Sequence, residues 1–228
     1  MKNTLILGGS IIIAGAFVGG GLYLSKKQVP LKNIPDTSPQ EEIIIKPVSA
    51  EDHIQGPRDA KITIIEYSDP ECPYCKVFHE TMNEIMADKE LSGKIAWVYR
   101  HFPIESLHTK AKYESQAMEC AAEIGGNDGF WQFTNKLYQT TKSNDSFDIA
   151  TLPDLASSVG LDKTKFTECL KSGKMVETVE QQYKDAVAAG GQGTPYSIIL
   201  GPNERKIPIQ GAVRAEALKI QLNSLLSL

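Results

Sequence analysis

An α/β fold is predicted by three features of the sequence: a strand–helix–strand unit between Lys61 and Pro103, a long helical stretch after it, and a strand–strand–helix ending from Tyr196 onward. Two cysteines, Cys72 and Cys75, mark the first strand-to-helix junction. At 228 residues, 41% hydrophobic and 23% charged, the chain suits one globular domain of moderate size. With a net charge of −4 and no basic run longer than Lys26-Lys27, no nucleic-acid partner is expected.

The chain opens on an uncharged apolar run, Thr4 to Leu24, between Lys2 and Lys26-Lys27. About 20 apolar residues cross a bilayer. Residues 1–25 therefore read as a transmembrane anchor, with a cleaved secretory signal as the alternative; the run exceeds a usual signal core and no small-x-small cleavage site follows. Lysines on both sides leave its orientation open. Residues 26–52, carrying Pro30, Pro35, Pro39 and Pro47 without apolar periodicity, read as a flexible linker, with a short edge strand conceivable at Glu41 to Ile45. The folded domain is expected over 53–228.

Within it, Lys61 to Tyr67 is β-branched and aromatic, the mark of a buried strand. Val77, Phe78, Met82, Ile85 and Met86 recur at helical spacing and predict a helix from Pro73 to about Lys89. Gly93 stops it, and Lys94 to Phe102 is a second strand ended by Pro103. Strand, helix and strand of these lengths form a right-handed crossover with parallel strands. Five short helices follow, at Thr109–Ile124, Phe130–Thr140, Ile149–Val159, Lys163–Leu170 and Met175–Ala189, each closed by glycine or a polar break. They form a helical insertion over about 106–190. Tyr196–Leu200 and Lys206–Gln210, joined by Gly201-Pro202-Asn203-Glu204, read as a hairpin whose Pro208 confines the second strand to a sheet edge. A last helix runs from Arg214 to about Ser227. This order of elements is that of a thioredoxin-like fold with an inserted helical subdomain.

Cys72-Pro73-Tyr74-Cys75 has the spacing of a dithiol redox site. Cys72 falls at the helix N-cap and Pro73 at the first helical position, where its missing N–H costs nothing. Unpaired N–H groups and the macrodipole favour a thiolate there. Cys72 is expected to be the exposed sulfur of low pKa, in the range ~3.5 to 7, and Cys75 the buried resolving thiol. Asp69 and Glu71 oppose the thiolate. The competing zinc reading wants four ligands, commonly a second short-spaced pair, and Cys120 and Cys169 are isolated singles, so no metal is expected. A cysteine-protease reading, with one of His53, His79, His101 or His108, fits poorly with a proline after the nucleophile; His79 is expected at the surface.

With this motif, the helical insertion and Gly193-Thr194-Pro195 ahead of the hairpin, the chain resembles the DsbA-like branch of the thioredoxin superfamily from about Gly56 to Leu228. The resemblance implies a cis Thr194-Pro195 bond facing the cysteines, with the Thr194 backbone, Pro73 and Tyr74 meeting an extended substrate chain. It also implies a partly buried acid six residues before the first cysteine. Glu66 stands there, and as a proton relay for Cys75 it would have its pKa raised by burial. The best-known member has Pro-His between its cysteines. Tyr74 offers no imidazole, so a less oxidising protein is expected.

The implied activity is an extracytoplasmic thiol:disulfide oxidoreductase on a single-pass bacterial membrane protein. Its substrates would be reduced proteins or peptides, its reoxidant a membrane quinone-linked partner, and its only cofactor the Cys72–Cys75 disulfide itself. A reductase or isomerase using the same residues, or a chaperone-like binder of extended chains, are the alternatives. Cys120 and Cys169, lone cysteines in one subdomain outside the cytoplasm, are expected to form a structural disulfide, two buried free thiols being the alternative.

Overall fold

The computed structural model describes residues 43–228. The expected anchor over 1–25 and most of the expected linker lie outside the described residues, among which no helix is long and apolar enough to cross a membrane.

Five strands form one mixed sheet in the order β1-β3-β2-β4-β5. At its centre β2 (Ile62–Ser68) runs parallel to β3 (Ile95–His101), with α1 (Pro73–Ala87) between them in sequence. The hairpin strands β4 (Tyr196–Leu200) and β5 (Lys206–Gln210) add antiparallel to β2, and Pro208 lies in edge strand β5. Alternation along β2 sends Ile62 and Ile64 into one core and Ile65 and Tyr67 into the other. The first core is filled by Phe78 and Met82 of α1, Trp97 and Tyr99 of β3, and Leu218 and Leu222 of α6 (Ala215–Leu226). The second is closed by Ala186 of α5 (Val176–Ala188). Glu66 has the parity of Ile62 and Ile64, so the same alternation turns its carboxyl toward the α1 side of the sheet.

Away from the cysteine motif, the structure departs from the sequence expectations at three places. A three-residue strand, β1 (His53–Gln55), pairs antiparallel with the outer edge of β3. It is too short for periodicity to reveal, and Asn127 holds its other edge: the side-chain amide accepts from Ile54 N–H and donates to Ile54 C=O, both at 2.9 Å. Residues 43–45 form no strand; Ile43, Ile45 and Val48 instead pack against the second core, and Arg100 ties the preceding segment down through the Pro47 carbonyl and a buried ion pair with Asp52 at 2.8 Å. The first two expected insert helices follow one another without a loop in the segment α2 (Ala111–Thr140), where Gly126, with non-helical φ 63° and ψ −156°, divides them at a kink. Glycine there ends the first helix and lets the second start directly after it. A single 3₁₀ turn, α3 (Leu152–Ser158) and α4 (Lys163–Ser172) complete the insertion before α5.

His79 is the third. Expected at the surface, it is buried, because the α1 face that carries it is covered by the second half of α2. Its Nε2 meets Asn135 Oδ1 at 2.7 Å and its ring stacks on Tyr138 at 4.4 Å. Burial holds its pKa down at about 4, so the ring is neutral.

Candidate active site

The loop after β2 is folded back on itself. Cys72 N–H donates to Asp69 C=O at 3.1 Å, and Asp69 N–H points at Cys75 Sγ at 3.4 Å. Cys72 caps α1 with extended backbone (φ −77°, ψ 123°) and no side-chain capping bond, and Pro73 opens the helix. The unpaired N–H groups of the first turn therefore remain available to a thiolate. Opposite, the Thr194-Pro195 peptide is cis, and the Thr194 carbonyl lies 3.4 Å from Cys72 Sγ.

Both cysteines are free thiols and both are buried. Cys72, expected to be exposed, is 5% accessible because the Thr194 segment packs over it; Tyr74 beside it is 66% exposed. Their chemistry is nonetheless split. A hydrogen bond from the Cys75 thiol, aided against burial by Thr194 and by the amides of Cys75 and Tyr74, holds the Cys72 thiol down at about 6. Burial, with the Cys72 thiolate and Glu66 nearby, pushes the Cys75 thiol well above the ordinary range. The helix start thus carries one ready thiolate backed by one neutral thiol.

Glu66 is fully buried. Trp97 Nε1–H donates to its Oε2 at 2.9 Å and its Oε1 has no partner. Burial raises its pKa to about 7 against that bond, so near neutrality the carboxyl exchanges a proton. Around it lies a buried hydroxyl cluster in which Tyr138 OH meets Ser68 Oγ at 3.1 Å and Tyr99 OH at 3.0 Å.

Residues around Cys72 that sequence reasoning saw only as opposing charge, or not at all, form a second tier. The Asp69 carboxylate accepts from the backbone N–H groups of Glu71 and Ile104, both at 2.8 Å, and from His108 Nδ1 at 3.0 Å. Glu71 is fully buried, with Thr141 Oγ1 donating to its Oε1 at 3.2 Å. Glu71 Oε2 and both carboxyl oxygens of buried Glu114 have no ordinary donor. Burial first, then neighbouring Glu71, raise Glu114 to about 9, so Glu114 holds its proton at neutral pH.

The other histidines serve structure. His53 and His101 each bring Nε2 to the carboxylate of Glu119, at 3.1 and 2.9 Å. Among the described residues none of the four imidazoles bonds to a cysteine sulfur. Cys120 of α2 and Cys169 of α4 are joined at 2.03 Å, which removes both from any four-thiolate metal site.

The sequence matches the thioredoxin family over residues 49–223. Among solved structures, the fold is similar to BdbD from Bacillus subtilis, with TM-score 0.69 and 21% identity over 82% of this chain and 99% of that one. It is similar to DsbA2 of Pseudomonas aeruginosa with TM-score 0.64 and 23% identity, covering 79% of this chain and 97% of that one. A curated relative, the Na(+)/H(+) antiporter NhaA 1 of Mycolicibacterium gilvum, is 30% identical over 174 residues, which is 74% of this chain. The chain spans 27% of that protein's length. A dithiol at the start of α1, a Thr194-Pro195 segment over it and a helical insertion between β3 and β4 go with these matches: the chain belongs to the thioredoxin family and has the DsbA-like fold.

Proposed function

We propose that this protein is an extracytoplasmic thiol:disulfide oxidoreductase that passes the Cys72–Cys75 disulfide to reduced cysteines of secreted or membrane proteins. The carrying observation is the split between the two thiols, Cys72 held down at about 6 and Cys75 pushed well above its ordinary range. In the oxidised form, a substrate thiolate attacks Cys72 Sγ, the Cys72–Cys75 bond breaks, and Cys75 leaves with the electron pair. Glu66 supplies the proton that Cys75 takes up. A second substrate thiolate then attacks the substrate sulfur of the mixed disulfide and expels Cys72 as a thiolate, a good leaving group. Two electrons have entered the protein and one disulfide has formed in the substrate. Thr194 and Pro195, with exposed Tyr74, would hold the substrate as an extended strand. The redox disulfide is the only cofactor this chemistry uses.

Reoxidation falls to a membrane quinone-linked partner, and residues 1–25 would tether the domain to a bacterial membrane on its outer side. The curated relatives share only a segment with this chain, and we propose thiol exchange as the role of that segment; ion transport is not part of the proposal.

A Cys72 pKa near 6 lies between the values typical of strongly oxidising and of reducing dithiols, roughly 3.5 and 7, and this favours an isomerase as the second reading. Equilibration with glutathione tests the direction of transfer. A potential near −120 mV supports oxidation, whereas one near about −270 mV overturns it in favour of reduction. Replacing Cys72 and Cys75 together by serine abolishes activity in an oxidoreductase and spares it in a chaperone.

A further inference from the structure

The Pro73-Tyr74 dipeptide lacks an imidazole, yet the fold delivers one from elsewhere. His108 lies on the segment between β3 and α2, remote in sequence from the motif, and its side chain is 8% exposed. Its Nδ1 is tied to Asp69 Oδ2 at 3.0 Å, and that carboxylate is anchored by the Ile104 and Glu71 amides. Asp69 in turn touches both cysteines through its backbone, its carbonyl accepting from Cys72 N–H and its N–H directed at Cys75 Sγ. The ring is thus bolted to the loop that presents the dithiol.

We propose that His108, oriented by Asp69, is a positioning residue that stabilises the Cys72 thiolate by its charge and so sets the redox poise of the site. This deepens the thiol-exchange reading and rests on it. Burial disfavours the imidazolium, but Asp69 outweighs it, and the Cys72 thiolate and Asp145 add to the pull, leaving the pKa of His108 raised. The other charged groups around this corner are already engaged. Asp145 accepts from the Thr109 and Lys110 N–H groups at 2.8 and 3.0 Å, Lys110 Nζ reaches the Asp145 and Phe147 carbonyls, and Glu71 accepts from Thr141 Oγ1 at 3.2 Å. His108, paired with Asp69 at 3.0 Å, is the titratable cation held against this loop, and linkage makes its coupling to the sulfur mutual.

The test titrates Cys72 in the reduced full-length protein, by ultraviolet thiolate absorbance and by alkylation rate. In His108→Gln the Cys72 midpoint rises by about one unit, the size of a nearby-charge effect, and alkylation near pH 6 slows several-fold. His108→Lys, which keeps the charge, restores most of it. An unmoved midpoint in His108→Gln, or a lysine variant that titrates like the glutamine one, overturns the proposal. NMR of the wild-type imidazole needs no substitution. Its midpoint must be higher with Cys72–Cys75 reduced than oxidised, and equal midpoints overturn the proposal too. None of these readouts uses a substrate, so a protein that passes them and fails to oxidise reduced polypeptides would lose the proposed function alone.

Discussion

Two buried carboxyls near the dithiol, Glu66 and Glu114, make opposite kinds of prediction although burial raises both. Glu66 lies within electrostatic reach of Cys75 and holds its proton up to about pH 7. Glu66→Gln keeps the shape and the Trp97 bond but cannot pass a proton. Release of glutathione from a Cys72 mixed disulfide, followed from acid to alkaline pH, should slow ~10-fold near neutrality and lose its pH dependence there. An unchanged profile would make the carboxyl a bystander. Glu114 bears on stability. Its folded-state pKa of about 9 exceeds the ordinary 4.5, so above pH 4.5 the unfolded chain releases a proton that the folded chain retains. Stability contributed by the neutral acid is therefore full below that pH and lost as pH rises toward 9. Glu114→Gln removes the penalty: denaturant unfolding at pH 8 should show a gain on the order of 1–3 kcal/mol that disappears at pH 4. A gain equal at both pH values would place the effect elsewhere.

At the scale of elements, β2, α1 and the β4–β5 hairpin were legible because each carries its own periodicity and its own stop. The cysteine motif sits at the one junction where strand period gives way to helical period. What the sequence hid was held from a distance. β1 is three residues fixed by Asn127, 73 positions from Ile54, and by His53 bonding to Glu119, 66 positions away. His79 looked polar on a helix face, and only the fold of α2 over that face buries it. His108 and Asp69 are ordinary polar residues until β3 ends beside the active loop. Gly125-Gly126-Asn127 signalled a stop, and Gly126 supplies it in a conformation, φ 63° and ψ −156°, that glycine alone adopts readily, so that the two helices of α2 meet at a kink with no loop between them. A Cβ at Gly126 would meet no atom within 4 Å. Gly126→Ala should therefore destabilise by backbone strain alone, roughly 1–3 kcal/mol. It should also weaken the Asn127 clip on β1, seen as faster amide exchange at Ile54. A neutral substitution would mean that the kink relaxes freely.

For the molecule as a whole, the site is assembled from four separated segments, the β2–α1 loop, the chain entering α2, the turn after α2 at Thr141–Asp145, and Thr194-Pro195. The helical insertion supplies two of these, so its rigidity matters to the dithiol. Its internal fastening is the bridge from Cys120 in α2 to Cys169 in α4, both buried, beside Phe133 packed on Phe166 at 5.2 Å. Closing a loop of 49 residues restricts the unfolded chain, worth ~4 kcal/mol in the loop-entropy account. Cys120→Ala with Cys169→Ala should lower the unfolding free energy by about that amount, with amide exchange in α3 and α4 accelerating before that in β2 or β3. The Cys72 titration should not move, since every group that sets it belongs to the β2–α1 loop, the Thr194 segment or the start of the insertion. Mild reductant should likewise open Cys72–Cys75 while leaving the second bridge closed, two thiols and not four reacting with alkylating agent. Four reactive thiols, or exchange that quickens uniformly across sheet and insertion, would show that the bridge does not fasten the subdomain as a unit.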